Sequence, residues 1–247
     1  MQHKSQTIYF PRLPRIAASG TVAGPKECAG VVGKYVDLAL DNDMFGESTY
    51  EKAECKMLRY AVGKALENGK ITENELDLLV SGDLLNQIIS ASFAARDFAV
   101  PFLGVYGACS TMAESLALAA LTVDSGHANN VIAATGSHFS SAERQYRYPL
   151  ELGTTRPPQS QWTVTGAGAT LVAAAKGTES RVAITSATFG KVIDFGITDV
   201  NNMGAAMAPA ASDTIIAHLR DTGRKADDYD LIVTGDLGAL GSRILKD

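Results

Sequence analysis

Gly107-Ala108-Cys109-Ser110-Thr111 holds a thiol flanked by small residues between an apolar run and a helical pattern. Small neighbours permit a tight turn, and the unpaired N–H groups at a helix start favour a thiolate. Cys109 there is either an elbow nucleophile or a small cysteine packed at a crowded turn. Thr135-Gly136-Ser137-His138 follows the next apolar run. In a layered sheet this places His138 at the same strand-end level as Cys109, where ligands usually bind. It would orient a ligand or hold a proton, or else bond to backbone.

Glu143-Arg144-Gln145-Tyr146-Arg147-Tyr148 puts two guanidinium groups and two phenols into six residues. Arginine forks match carboxylates bidentately, so Arg144 and Arg147 suit an anion pocket for a carboxylated aromatic or acyl ligand. A solvated loop edge or a dimer contact would use the same residues. Trp162, the sole tryptophan, is followed by Thr163-Val164-Thr165-Gly166-Ala167-Gly168-Ala169 and is read as a core residue or a stacking platform. Asp83 ends another apolar run in a Gly-Asp-Leu turn, where it would bond a ligand or cap the next helix.

Strands separated by helical stretches must position these groups. Strands are expected at Leu76–Ser81, Leu103–Tyr106, Val131–Thr135, Gly168–Ala175 and Arg181–Thr188. Ser48 and Glu51 form a capping-box pattern ahead of Ala53, Met57, Ala61 and Ala65, with Leu58, Val62 and Leu66 beside them. That spacing predicts an amphipathic helix ending near Asn68-Gly69. Thr111–Ser125 reads as a second helix. The polar segment between Ser137 and Trp162, with Pro149, Gly153, Pro157 and Pro158, reads as a long capping loop. The class is α/β, a sheet with helices on both faces.

The sequence also repeats itself. Asp77–Leu84 recurs as Asp230–Leu237 with six of eight positions identical, at an offset of 153. The preceding helices align, Val62 with Ile215 and Leu66 with Leu219, and Pro209 is placed to open the second helix. Two similar α/β halves follow, residues 1–178 with the elbow cysteine and the capping loop, and residues 179–247 as a partial second half. Recurrence of Asp83 as Asp236 favours capping for both.

Composition narrows the field. The 247 residues are 46% hydrophobic and 20% charged, which suits a packed core. A net charge of −5 excludes a generally basic nucleic-acid binder. No apolar run approaches the ~18 residues that span a bilayer. Cys28, Cys55 and Cys109 lack CxxC spacing, and the four histidines lack HxxxH pairing, so neither a disulfide frame nor a metal is expected.

Taken together, these residues resemble the thiolase superfamily, with a cysteine at a strand-to-helix elbow in the first of two similar halves. The match is closer to one branch. SGTVAGPKE (19–27), GDLLNQIISASFAAR (82–96), GVYGACSTMAESLALA (104–119), SHFSSAERQYRYPLELG (137–153) and WTVTGAGA (162–169) are similar to the stage V sporulation protein AD family. The resemblance implies a thiolase-like fold, here with a truncated second half, and a sporulation role without turnover. The implied activity is binding of dipicolinate (pyridine-2,6-dicarboxylate), alone or as its calcium chelate, and a part in its uptake into the developing spore. Implied partners are the other proteins of the same membrane complex and a second copy of the chain. The implied place is the cytoplasm at synthesis, then peripherally the forespore or spore inner membrane. Ligand contacts are expected from Asp83, Cys109, His138, Arg144, Arg147 and Trp162. The alternative is an acyltransferase of the condensing type, with Cys109 catalytic. Condensing enzymes draw basic partners from the second half, where only His218 is present, on a helix. An incomplete second half would leave an exposed edge and an uncovered part of the core.

Overall fold

The computed structural model describes residues 5–148 and 161–247. In chain order the strands are β1 (Thr7–Tyr9), β2 (Arg15–Ala23), β3 (Leu38–Ala39), β4 (Leu78–Gly82), β5 (Phe102–Gly104), β6 (Asn130–Ser137), β7 (Gly166–Ala173) and β8 (Ser186–Thr188). The helices are α1 (Pro25–Cys28), α2 (Tyr50–Gly69), α3 (Ile89–Ala95), α4 (Thr111–Asp124), α5 (Met203–Thr222) and α6 (Gly238–Lys246). They fall into two compact units. The larger comprises Phe10–Tyr146 and Thr163–Thr185; the smaller comprises Met1–Tyr9, Arg147–Trp162 and Ser186–Asp247.

The larger unit is built on a six-stranded sheet of order β3-β2-β7-β6-β4-β5. Strand β4 pairs parallel to both β5 and β6, while β7 runs antiparallel to β6 and β2. Side chains alternate across the sheet with a period of two. Leu79, Ile132 and Leu171 face α2 and α3, and Val80, Val131 and Val172 face α4. The expected stripe on α2 forms the first core: Ala53, Met57, Ala61, Val62 and Ala65 are fully buried. Helix α2 and strand β2 meet closely at Gly20, where a Cβ would lie 2.2 Å from the Ala61 carbonyl oxygen.

Helix α2 is capped one residue later than expected. Thr49, not Ser48, is the N-cap, and its hydroxyl accepts from the Lys52 N–H at 3.3 Å. Its C-terminus closes on Lys70 in the left-handed region, φ 56°.

The smaller unit pairs β1 antiparallel with β8 and carries α5 and α6. Only Ser186–Thr188 of the expected strand 181–188 is paired as a strand, apart from a single bridge between Ala183 and Arg15 within the larger unit. Helix α5 repeats α2 at the offset of 153 residue for residue, 50–69 becoming 203–222. The N-cap Thr49 becomes Asn202, and the left-handed C-cap Lys70 becomes Gly223. Pro209 therefore lies inside the helix rather than opening it. Asn202 supplies the start, accepting from Ala205 N–H at 3.2 Å, and the proline simply omits one ladder bond.

The repeat of β4 is not a strand. Leu231 is 76% and Val233 78% exposed, whereas their counterparts Leu78 and Val80 lie within the sheet. Among the described residues nothing pairs with 231–234 as a strand. The turn that follows keeps one bond, Asp83 accepting from Leu85 N–H and Asp236 from Gly238 N–H, both at 2.8 Å, though Leu85 is extended (φ −97°) and Gly238 left-handed (φ 62°).

Candidate functional site

The carboxyl ends of the parallel strands β4, β5 and β6 carry the turns that hold Asp83, Cys109 and Arg144. The β5 turn is packed against β4: Val105 N–H donates to the Ser81 carbonyl at 3.0 Å. Gly82 lets the Val105 carbonyl approach so closely that a Cβ would sit 2.0 Å from its oxygen. Past Tyr106 the chain turns at Gly107, whose N–H donates to Thr111 Oγ1 at 3.2 Å. Ala108 then takes a left-handed φ of 49°, a conformation costly for a residue with a Cβ. Cys109 follows in the 3-10 turn that leads into α4, and it is exposed. The crowded, buried alternative for this thiol is thereby corrected. The elbow presents it outward at the start of a 14-residue helix.

Three bonds tie the turn after β6 to the turns that follow β4 and β5. Glu143 N–H donates to the Leu84 carbonyl at 2.9 Å, and Asn86 N–H donates to Glu143 Oε1 at 2.7 Å. The hydroxyls of Tyr106 and Tyr146 meet at 3.2 Å. The last contact links the stretch leading into the Cys109 elbow to the turn bearing the exposed Arg144, across 40 residues of sequence. Desolvation, with the Tyr146 hydroxyl adding to it, pushes the Tyr106 phenol above its ordinary range.

Two expected ligand residues lie at the same sheet end but are buried beneath its turns. Asp83 is 1% exposed, and its carboxylate oxygens accept Leu85 N–H at 2.8 Å and Ala91 N–H at 2.6 Å. It ties the β4 turn to α3, the capping role; burial pushes its pKa up. His138 is fully buried against the Tyr50 ring, the two centroids 5.0 Å apart. Its Nδ1 accepts from Ser140 N–H at 3.0 Å, which puts the proton on Nε2, donating to the Asp43 carbonyl at 3.0 Å. Both nitrogens are used, so the expectation of a ligand-facing His138 gives way to a core histidine that anchors the turn. Arg147 and Trp162, both half-buried, belong to the smaller unit. Pro149, Gly153, Pro157 and Pro158 of the expected capping loop lie outside the described residues.

Glu54 escaped the reading of the residues. It is fully buried in α2 and accepts the Ser141 hydroxyl at 2.7 Å. A signal was present: Glu54 heads the row Leu58, Val62 and Leu66 at four-residue spacing. The smaller unit holds an apolar hollow of about 280 Å³ lined by Thr214, Ile215, His218, Tyr229, Leu231 and Ile232. His218 there bonds Thr188 Oγ1 at 2.7 Å and the Tyr229 hydroxyl at 2.6 Å. Burial, with Arg224 nearby, lowers its pKa.

The profile of the stage V sporulation protein AD (SpoVAD) family matches residues 4–247. The stage V sporulation protein AD of Bacillus subtilis (strain 168) is 47% identical over 242 residues, covering 98% of this chain and 71% of that protein. The chain belongs to the stage V sporulation protein AD family. The role that membership carries is in sporulation. Among solved structures, the OleA protein of Xanthomonas campestris bound with cerulenin superposes with a TM-score of 0.68 at 12% identity, over 98% of this chain and 81% of that one. The 3-oxoacyl-(acyl carrier protein) synthase III of Xanthomonas oryzae gives 0.61 at 15% identity, over 96% and 81%. These likenesses show a thiolase-like fold for this SpoVAD-family chain. None of its described helices is long and apolar enough to cross a membrane.

Proposed function

We propose that this SpoVAD-family protein binds dipicolinate, alone or as its calcium chelate, and takes part in its uptake into the developing spore without turning it over. One observation carries the reading. The Tyr106–Tyr146 hydroxyl pair joins the arginine-bearing turn to the cysteine elbow at one end of the sheet. A planar dianion needs guanidinium groups for its carboxylates and aromatic faces for its ring. Arg144 lies two residues before Tyr146, and Arg147 follows it directly. Each charge-assisted bond contributes about 1.5–3 kcal/mol, so losing one arginine weakens binding roughly 10- to 100-fold. Calorimetric titration with dipicolinate, with and without calcium, tests this. Arg144→Ala and Arg147→Ala are expected to bind more weakly, and unchanged affinity in both removes the turn from the site.

Further parts of the reading concern assembly. β5 is an edge strand with Leu103 exposed, and the exposed Ile89 and Phe93 of α3 lie in the preceding segment, which supports pairing with a second copy. Sedimentation at micromolar concentration reads out that dimer. Docking to membrane proteins of the same sporulation complex would hold it peripherally at the forespore or spore inner membrane.

The second reading is acyl transfer, favoured by the exposed Cys109 on its strained elbow. Here the thiolate attacks an acyl thioester and expels the carrier thiol, leaving an acyl-enzyme. His138 is not its base, because both imidazole nitrogens are engaged. Incubation with acyl-CoA and mass spectrometry decides between the two. An acyl adduct on Cys109 favours transfer; none, beside saturable dipicolinate binding, favours the binding protein.

A further inference from the structure

We propose that Glu54, as the neutral acid, is a positioning residue that keeps the arginine-bearing turn seated, and that loss of its proton releases this turn. The inference rests on the ligand reading only for its consequence, since the turn held is the one that carries Arg144.

The geometry is local and complete. Glu54 projects from the second turn of α2 into the interior and is 0% exposed. Its Oε2 accepts the hydroxyl of Ser141, itself buried, at 2.7 Å. Its Oε1 is buried with no hydrogen-bond partner. Ser141 lies in the turn His138–Tyr146, where Ala142 N–H donates to the His138 carbonyl at 2.9 Å and Tyr146 N–H to the Glu143 carbonyl at 3.0 Å. Glu54 is thus the side chain of α2 that grips the turn through its hydroxyl residue, beside the anchor made by His138.

An ionised carboxylate would be poorly served there. One oxygen has a single neutral donor and the other none. The charged groups that bear on it, Asp83 from the β4 turn and Glu51 from its own helix, are both acids, and Ser90 of α3 offers only a hydroxyl. Burial dominates, and the Asp83 carboxylate adds to it against the hydroxyls of Ser141 and Ser90, raising the Glu54 pKa from 4.5 to about 8. Released into water, the same carboxyl titrates in the ordinary range. The seated form therefore keeps its proton where the released form has lost it. Each pH unit between about 4.5 and 8 favours release by up to tenfold, and the dependence levels off as the pH passes about 8.

Hydrogen exchange of the backbone amides of residues 141–146, measured without ligand, tests the proposal on the whole chain. Comparing wild type with Glu54→Gln at the same pH cancels intrinsic exchange. Between pH 6 and pH 8 the opening equilibrium of the turn in wild type is expected to rise about 50-fold relative to Glu54→Gln. Equal changes in the two proteins overturn the proposal. Should Glu54→Gln fail to fold, wild type alone suffices after correction for intrinsic rates: a flat opening equilibrium over that range overturns it. Dipicolinate titration at the two pH values separates the layers. Affinity that falls with the opening supports both readings, while the predicted exchange with no dipicolinate binding at either pH supports the latch and removes the ligand.

Discussion

Replacing Asp83 by alanine separates a structural carboxylate from a ligand-facing one. The side chain is 1% exposed and accepts two backbone N–H groups, from Leu85 at 2.8 Å and Ala91 at 2.6 Å. Alanine leaves both donors without this acceptor in the interior. A buried unsatisfied donor costs about 1–3 kcal/mol, so Asp83→Ala, which leaves two, should lose about 2–6 kcal/mol of folding stability. Asparagine keeps one acceptor oxygen but turns an NH₂ toward the other donor, so Asp83→Asn should lose about half as much. Urea denaturation followed by circular dichroism at pH 7 measures both. Dipicolinate affinity, measured well below the unfolding transition, should stay within a few-fold of wild type. A variant as stable as wild type to within about 0.5 kcal/mol but crippled in ligand binding would refute the capping argument and return Asp83 to the site.

Two further substitutions probe how the sheet end is held. Thr49→Ala should destabilise by about 1 kcal/mol through loss of the α2 cap, while Ser48→Ala should stay within about 0.5 kcal/mol; the reverse order in thermal denaturation would restore the Ser48 cap. Gly20→Ala puts a Cβ 2.2 Å from Ala61 O and 2.6 Å from Ala65 N, both backbone atoms. It should cost at least about 1–3 kcal/mol in the same experiment, and a neutral result would mean that α2 does not pack on β2 at this distance.

How much of this was legible in the residues depends on how local each feature is. The buried face of α2 was, because four-residue spacing of apolar side chains has one structural outcome, and Ala53, Met57 and Ala61 are all fully buried. The cap was displaced to Ser48 because adjacent hydroxyls compete and only backbone direction chooses between them. Pro209 misled because a proline at a helix start is common, yet the offset that aligns Val62 with Ile215 also aligns Thr49 with Asn202, the true cap. That repeat transmitted helix, cap and the Asp side-chain bond, but not the strand at 231–234, since a strand exists only where neighbours pair with it. His138 and Glu54 were hidden for another reason. Burial of a polar side chain requires partners far away in sequence, here Asp43 and Ser141. The Tyr106–Tyr146 contact has the same character: no spacing announces it, and only the parallel order of β5, β4 and β6 places the two turns at one end of the sheet.

The alkylation rate of Cys109 by iodoacetamide, followed by mass spectrometry at saturating dipicolinate, tests most directly whether one ligand occupies the ground between the cysteine elbow and the arginine turn. Occupancy is set independently by calorimetry, and buried Cys55 serves as the internal reference. The predicted result is marked protection of Cys109 in wild type, with more ligand needed for the same protection in Arg144→Ala. Full ligand occupancy with an unchanged Cys109 alkylation rate would contradict the account and place the ligand elsewhere on the molecule.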